Sequence, residues 1–197
     1  MTAGAIPAVG PAVPTRGSRM LRAIGRVGLR ALRWRIEGVM PDVPRCVLIV
    51  APHTSNWDFV VGLASLLALD LRLTWLGKRQ IFRGPLGALW RTLGGVPVDR
   101  DAPGGLIEEA AAVLRAPRSA FVGIAPEGTR RKVERWKSGF WRIARAAEAP
   151  ILPVAFDYRR RATVLGDIFT PTDDYEADLA ELRSRFSADM AKNPANY

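Results

Sequence analysis

The stretch of residues 46–58 constrains the fold most, because an apolar strand there gives way directly to an apolar helix. Residues 46–51 are Cys-Val-Leu-Ile-Val-Ala, a continuous apolar run rich in β-branched residues and typical of a strand buried on both faces. Pro52 ends this run, and the N-cap residue types at 54–56 predict that a helix begins just after them. A strand buried on both faces requires further structure above and below it.

Apolar strands and helical patterns alternate along the rest of the chain. After the first strand and its helix, strands are predicted at 73–77, 96–98, 120–125, 151–156 and 162–165, and helices at 86–93, 107–114, 137–147 and 175–190. This alternation predicts an α/β fold with a mostly parallel central sheet flanked by helices. A length of 197 residues, with 48% of them hydrophobic, is enough for one sizeable core and favours a single domain.

The N-terminal region differs from the rest in composition. Residues 1–17 consist largely of Ala, Pro and Gly, which predicts a disordered tail. Residues 18–36 place apolar and arginine side chains on opposite sides of a predicted amphipathic helix, and residues 37–197 form the predicted main domain. Two interpretations of the helix stay open: its apolar side and Trp34 enter a membrane interface, or that side packs on the domain while the arginines face water.

The charge of the chain points to an anionic partner. The formal net charge is +10, and the first 36 residues contain no acidic residue. Their arginines are Arg16, Arg19, Arg22, Arg26, Arg30, Arg33 and Arg35. The longest uncharged apolar run, residues 59–69, is far shorter than the roughly 20 residues that span a bilayer. An anionic membrane surface is therefore the expected partner, and nucleic acid is disfavoured because no recognised binding motif or interleaved stacking aromatics accompany the charge.

Cys46 is the only cysteine, which excludes an internal disulfide and a cysteine-based zinc site. The chain is therefore compatible with a reducing compartment, and a cytoplasmic protein that binds a membrane peripherally is expected. Neither a metal ion nor a cofactor is predicted.

His53 is the only histidine, and Asp58 follows five residues later. A carboxylate that orients an imidazole makes it a general base, so this pair is the candidate catalytic site. The alternative is that His53 packs at the start of the helix while Asp58 adds a favourable charge to the first turn. Cys46 is not expected to be a nucleophile activated by His53. The seven residues from Cys46 to His53 span about 23 Å in an extended strand, so the two side chains lie at opposite ends of it.

A second candidate loop follows the strand predicted at 120–125. It combines a carboxylate, a flexible glycine, a hydroxyl and a guanidinium, and arginine binds phosphate through a bidentate fork. Arg100, Arg130 and Lys137 could together bind a phosphorylated acceptor, Glu127 could orient its phosphate or an arginine beside it, and Gly128 and Thr129 complete the loop. The alternative is an ordinary charged turn. If the two strands are parallel neighbours, this loop and the His53 loop share one crevice at the carboxyl ends of the strands.

Four ordered motifs carry a family resemblance. His53 to Asp58 matches H-x-S-x-x-D, residues 94–100 are similar to a glycine-containing segment that closes in Asp-Arg, residues 127–130 are E-G-T-R, and residues 151–154 resemble an apolar Pro-Val segment. Together, over about residues 45–157, the sequence resembles the glycerolipid acyltransferase family that includes 1-acylglycerol-3-phosphate acyltransferases.

The resemblance implies an activity and roles for the residues above. A fatty acyl group would move from acyl-CoA or acyl carrier protein to a hydroxyl of a lysophospholipid or a glycerol-phosphate-like acceptor, without an acyl-enzyme. His53 would be the general base, Asp58 its support, and the loop residues would hold the acceptor's phosphate. The alternative is a non-catalytic, peripheral membrane lipid-binding protein on the same fold, which does not need His53 beside Asp58.

Overall fold

A computed structural model describes residues 6–98 and 105–197. In this part of the chain the strands form one seven-stranded sheet in the order β1-β7-β6-β2-β5-β3-β4. The strands are β1 (Arg35–Glu37), β2 (Arg45–Ala51), β3 (Leu73–Lys78), β4 (Gly95–Val98), β5 (Ala120–Ile124), β6 (Ile151–Asp157) and β7 (Ala162–Leu165). Neighbouring strands are parallel except β6 and β7, so the predicted mostly parallel α/β fold is confirmed.

Helices cover both faces of the sheet. They are α1 (Arg19–Ala31), α2 (Trp57–Ala68), α3 (Gly87–Thr92), α4 (Gly105–Arg115), α5 (Gly139–Ala146) and α6 (Tyr175–Ser184). Side chains of α1 and α2 form one apolar core with Cys46 and Leu48 of β2, and side chains of α4, α5 and α6 form the other with Val47 and Ile49. The alternation along β2 confirms a strand buried on both faces.

The order of the strands brings the two predicted loops together. β2 lies between β5 and β6 and is parallel to both, with Ile49 paired with Ile124. The loops after β2 and β5 therefore leave the same edge of the sheet, as expected for a shared crevice.

The prediction of a disordered tail is wrong for residues 6–17. Val13 is 4% exposed, and the Arg16 guanidinium donates hydrogen bonds to the carbonyl oxygens of Leu71, Thr92 and Leu93. The buried carboxylate of Asp70 accepts from the backbone N–H groups of residues 17 and 18. The tail is rich in Ala, Pro and Gly, but these specific contacts hold residues 6–17 on the domain.

The basic helix is shorter than predicted. α1 ends at Ala31, and the chain turns at Arg33, whose φ is +52°, into β1. Trp34 is buried in the core, so it does not lie in a membrane interface as one interpretation had it. Leu29 of α1 packs on the domain, whereas Met20, Ile24 and Val27 are exposed. One side of the helix therefore packs on the domain, and binding of α1 to a membrane stays a prediction.

The C-terminal helix is also shorter than the predicted 175–190, since α6 ends at Ser184. The chain beyond it makes two short 3₁₀ turns, Ala188–Met190 and Pro194–Asn196, and returns to the loop after β2. Arg100 lies outside the described residues. No helix among those described is long and apolar enough to cross a membrane.

Candidate active site

His53 and Asp58 lie together at the exit of β2. The peptide bond between Ala51 and Pro52 is cis, and the Nδ1 atom of His53 is 3.2 Å from Oδ2 of Asp58. Asp58 is in the first turn of α2 and its side chain is fully buried, whereas the His53 side chain is 21% exposed. The pair thus consists of a fixed carboxylate and an imidazole that reaches open space.

The Asp58 carboxylate also holds the loop that carries His53. Its Oδ2 atom accepts hydrogen bonds of 2.8 Å from the backbone N–H groups of both Thr54 and Ser55. A buried carboxylate requires such donors, because desolvation without partners is costly. The sequence spacing His-x-x-x-x-Asp therefore closes a small ring in which the carboxylate orients both the backbone and the imidazole.

Glu127 lies on the other side of His53. Its carboxylate oxygens accept from the backbone N–H of His53 at 3.0 and 3.2 Å, and the residue is 2% exposed. Burial raises the pKa of Glu127 to about 6. The structure thus places Glu127 against the His53 backbone. A direct contact between Glu127 and an acceptor's phosphate stays a prediction.

Two further residues support the site and were missed by the sequence analysis. The Tyr158 hydroxyl, just beyond β6, donates to Oδ1 of Asp58 at 2.7 Å. Burial and this hydrogen bond raise the pKa of Tyr158, so it remains a protonated donor. Asn193 donates from its backbone N–H and its side-chain amide to the hydroxyl and the carbonyl oxygens of Thr54. Both residues are at least 100 positions from their partners, and no sequence motif marks them.

Basic residues between β5 and α5 line the same cavity as His53, and we call this part of its wall the basic rim. Thr129, Arg130, Arg131 and Lys137 contribute to the rim, and Arg131 was not singled out from the sequence. Among the described residues, none of these three cations forms an ion pair within 4.0 Å. Gly128 has a φ of +68°, and a Cβ there would lie 3.1 Å from Cε of Lys137, so the loop favours glycine. The rim therefore presents cationic groups that are available to an anion.

An apolar cavity of ≈ 620 Å³ extends from His53 into the molecule. Its wall includes residues of α2 and of the sheet and reaches Phe140 and Ile143 of α5, and His53 and Asp58 contribute to it. The rest of the wall includes Leu48, Val50, Phe59, Gly62, Leu63, Leu66, Leu69, Leu73, Trp75, Val154 and Phe156. The cavity thus joins a candidate base, a cationic rim and an apolar interior in one continuous space.

Cys46 lies in the core between β2 and the α1–α2 layer, fully buried. Burial raises the pKa of its thiol to about 12, which keeps it protonated near neutral pH. This agrees with the exclusion of Cys46 as a nucleophile. Within residues 6–98 and 105–197, no group of three or more His, Cys, Asp or Glu side chains is arranged to hold a metal ion.

A family model described as Acyltransferase matches residues 38–157, which is more than half of the chain. The protein belongs to the acyltransferase family. The matched region contains His53, Asp58 and Glu127, together with the rim of the cavity. The family assignment therefore rests on the part of the chain that forms the candidate site.

A solved structure has a similar fold. It is the 1-acyl-sn-glycerophosphate acyltransferase PlsC from Thermotoga maritima, with a TM-score of 0.62 and 23% sequence identity. The alignment covers 84% of this chain and 76% of that one. At this identity the match establishes the fold of this acyltransferase. No curated protein sequence shows significant similarity.

Proposed function

We propose that this acyltransferase moves a fatty acyl group from a thioester, acyl-CoA or acyl carrier protein, to the hydroxyl of a lysophospholipid. The observation that carries the proposal is the position of His53. Its imidazole, held against buried Asp58, stands where the apolar cavity meets the basic rim. A base at the junction of an apolar space and an anion-binding surface suits a substrate with an acyl chain at one end and a phosphate at the other.

The reaction follows from groups of this chain. The Nε2 atom of His53 accepts the proton of the acceptor hydroxyl while the hydroxyl oxygen attacks the thioester carbonyl carbon. The new C–O bond forms, the C–S bond breaks, and the proton passes from the imidazolium to the departing thiolate. Asp58, close to Nδ1, stabilises the imidazolium. The electrostatic stabilisation by this carboxylate is therefore greatest in the charged transition state. No covalent acyl-enzyme is needed.

The cavity supports the assignment of the acyl chain. Its volume of ≈ 620 Å³ lies in the range of ligand pockets, and its wall is mostly aliphatic and aromatic. Burial of a methylene group in such surroundings contributes about 0.8 kcal/mol. An acyl chain that enters from the His53 end places its thioester carbon beside the imidazole.

The rim supports the assignment of a phosphate-bearing acceptor. The segment between β5 and α5 offers hydrogen-bond donors to phosphate oxygens from Thr129, Arg130 and Lys137. Arg131 adds a third cation. We include Arg100, Glu127 and Gly128 in the proposed acceptor site, Glu127 through its hold on the His53 backbone. Because the similar PlsC is named for 1-acyl-sn-glycerophosphate, lysophosphatidic acid is the first acceptor to test.

The test is an acceptor screen read by lipid mass spectrometry. Purified protein receives one acyl-CoA and, in separate reactions, lysophosphatidic acid, glycerol 3-phosphate and a neutral monoacylglycerol. We expect acylated product from lysophosphatidic acid, less from the neutral acceptor, and loss of the phosphate preference in Arg130→Gln and Lys137→Gln. Equal yields from charged and neutral acceptors would contradict the phosphate site. No product with any acceptor would favour the non-catalytic lipid-binding alternative.

We further propose that the protein binds an anionic membrane surface peripherally through α1. Met20, Ile24 and Val27 are exposed on this helix, beside several arginines. An exposed apolar stripe with adjacent cations is the arrangement of helices that lie in a membrane interface. Such binding would bring the enzyme to lipid acceptors.

A further inference from the structure

One polar pair interrupts the apolar wall of the cavity. Ser65 of α2 and Thr163 of β7 both line the cavity, and each is 3% exposed. Their hydroxyl oxygens are 2.8 Å apart, and the Thr163 oxygen accepts a 2.9 Å hydrogen bond from the indole N–H of Trp34. Three buried polar side chains, from α2, from β7 and from the residue before β1, thus form one connected group.

The hydrogen bonds of this group leave one proton without an acceptor. Trp34, Thr163 and Ser65 supply three donor protons, but the group contains only two hydrogen bonds. Trp34 donates to Thr163, and one of the two hydroxyls donates to the other. Among the described residues, neither hydroxyl forms a further hydrogen bond, so one hydroxyl proton is not donated within the group. A buried donor without a partner is unfavourable, so an acceptor atom from outside the protein is the natural complement.

Either hydroxyl of the pair can be the donor, and donation from Thr163 to Ser65 leaves the remaining proton on Ser65. When Thr163 accepts from Trp34 and donates to Ser65, successive donors polarise one another and the chain ends at the Ser65 hydroxyl. Because Ser65 lines the cavity, the free O–H lies at its wall. The indole N–H of Trp34 needs only one acceptor, the Thr163 hydroxyl. The need to satisfy this N–H therefore does not explain why position 65 is a serine.

The distance along α2 locates the pair relative to the reacting atoms. Ser65 follows Asp58 by seven residues, which is about two helical turns and about 10 Å on the same side of the helix. Leu66, Leu69 and Leu165 also line the cavity, so the pair is an isolated polar position in an apolar interior. A chain whose thioester lies at His53 would pass the pair well before the end of a long acyl group.

We propose that Ser65 and Thr163 form a subsite for an oxygen substituent in the middle of the acyl chain, and that hydroxylated acyl groups are favoured substrates. This inference rests on the proposed acyltransferase function. The hydroxyl of the acyl chain accepts a hydrogen bond from the Ser65 hydroxyl. It donates its own proton to a lone pair of the Ser65 or Thr163 oxygen. A methylene at the same place leaves the Ser65 donor unsatisfied, which disfavours the unsubstituted chain by about fivefold or more.

The first arm of the test measures binding alone. The His53→Ala protein is titrated calorimetrically with octadecanoic acid and with isomers hydroxylated near the carboxyl group, in mid-chain or at the terminal carbon. We expect the mid-chain isomer to bind at least about fivefold more tightly than octadecanoic acid. Adding Ser65→Ala should reduce this ratio to near one, whereas adding Thr163→Ser, which keeps the hydroxyl, should preserve it.

The second arm compares kcat/KM for the corresponding acyl-CoA esters in the wild-type protein and in Ser65→Ala. The proposal predicts that the mid-chain preference seen in binding recurs in turnover. Equal binding of all isomers, or a preference that Ser65→Ala does not change, would overturn the subsite. Ser65-dependent binding without any turnover would instead overturn the proposed function and leave the subsite standing.

Discussion

Asp58 is the residue on which the geometry of the candidate site depends. Three donors bind its carboxylate, namely the backbone N–H groups of Thr54 and Ser55 and the Tyr158 hydroxyl, and the imidazole of His53 lies beside it. These partners come from the loop after β2 and from the end of β6. The carboxylate therefore has one available orientation, which fixes the position of the base.

Loss of the Tyr158 hydroxyl should weaken catalysis without unfolding the protein. Tyr158→Phe removes one donor from Asp58, and a hydrogen bond to a charged group contributes about 1.5–3 kcal/mol. We expect kcat to fall about tenfold or more, with little change in KM and a shifted pH profile. Tyr175→Phe is the matched control, since that hydroxyl donates to the backbone carbonyl of Trp136 and not to Asp58. A kcat like that of the control would show that Tyr158 does not position Asp58.

The buried carboxyl of Glu127 should make stability depend on pH. Its pKa is raised from 4.5 to about 6, mainly by burial, so the folded state binds its proton more tightly than the unfolded state. The stabilisation is complete below about pH 4.5 and is lost as the pH rises through about 6. Relative to Glu127→Gln, the wild-type protein should therefore lose about 2 kcal/mol of unfolding free energy over this range.

Urea denaturation at several pH values measures this difference, with the exposed Glu134→Gln as the control. The Glu134 variant should follow the wild-type pH dependence. Parallel stability curves for the wild type and Glu127→Gln would contradict the raised pKa.

The residues of the site were predictable where they belong to a compact sequence motif. His53, Asp58 and the Glu127 loop belong to compact motifs at strand ends, so the sequence indicated them. Tyr158 and Asn193 act through contacts 100 and 139 positions away, which no local pattern contains. The proposed Ser65–Thr163 subsite has the same character, because its members are 98 residues apart.

At the scale of elements, the close packing of α1 on α2 depends on one glycine. A Cβ on Gly25 would lie 2.3 Å from the backbone nitrogen of Ala68, whereas one on Gly28 would meet the Ala64 side chain at 3.5 Å. A side chain at position 25 would therefore require one of the two helices to move. A side chain at position 28 would fit without such a movement. α2 carries Asp58 and part of the cavity wall, so the contact supports the site.

Gly25→Ala should destabilise the protein by about 1–3 kcal/mol through overpacking. Gly28→Ala, the matched control on the same helix, should be neutral or more stable by up to about 1 kcal/mol, because alanine favours helix. Thermal and urea unfolding of the two variants measure the difference. Equal stabilities would show that α1 does not pack closely at Gly25.

The elements themselves were predictable from apolar runs and periodicity, with two informative failures. Residues 6–17 are held by the guanidinium of Arg16 and the carboxylate of Asp70, contacts that composition does not reveal. The pattern of α1 continued to residue 36, but Trp34 finds its acceptor on Thr163 and lies in the core. In both cases a specific long-range hydrogen bond outweighed the local pattern.

At the scale of the whole molecule, the strand order is what assembles the site. The alternation of elements predicted a parallel sheet, but the order that places β2 between β5 and β6 depends on long-range pairing. That order brings the His53 loop, the Glu127 loop and Tyr158 to one edge. The cavity beneath α2 could not be predicted, because it depends on how several side chains pack around a space.

The net charge of +10 and the exposed side of α1 predict membrane binding that depends on charge. Ile24→Glu combined with Val27→Glu should weaken co-sedimentation with phosphatidylglycerol vesicles, and high salt should weaken binding of the wild-type protein. Ile168→Glu is the control, because Ile168 is also an exposed apolar residue but does not belong to α1. It follows β7, and its neighbour Phe169 bridges to Ile151 of β6. Unchanged binding of the double variant would exclude this side of α1 as the contact.

The most direct test of the central claim is the rate of thiol release from acyl-CoA in the presence of lysophosphatidic acid. With His53 as the general base, His53→Ala should lower kcat by about 10²–10⁴-fold. Cys46→Ala should retain the wild-type rate within about twofold, because its buried, protonated thiol takes no part. Thiol release that persists in His53→Ala, or that is lost in Cys46→Ala, would contradict direct transfer assisted by His53.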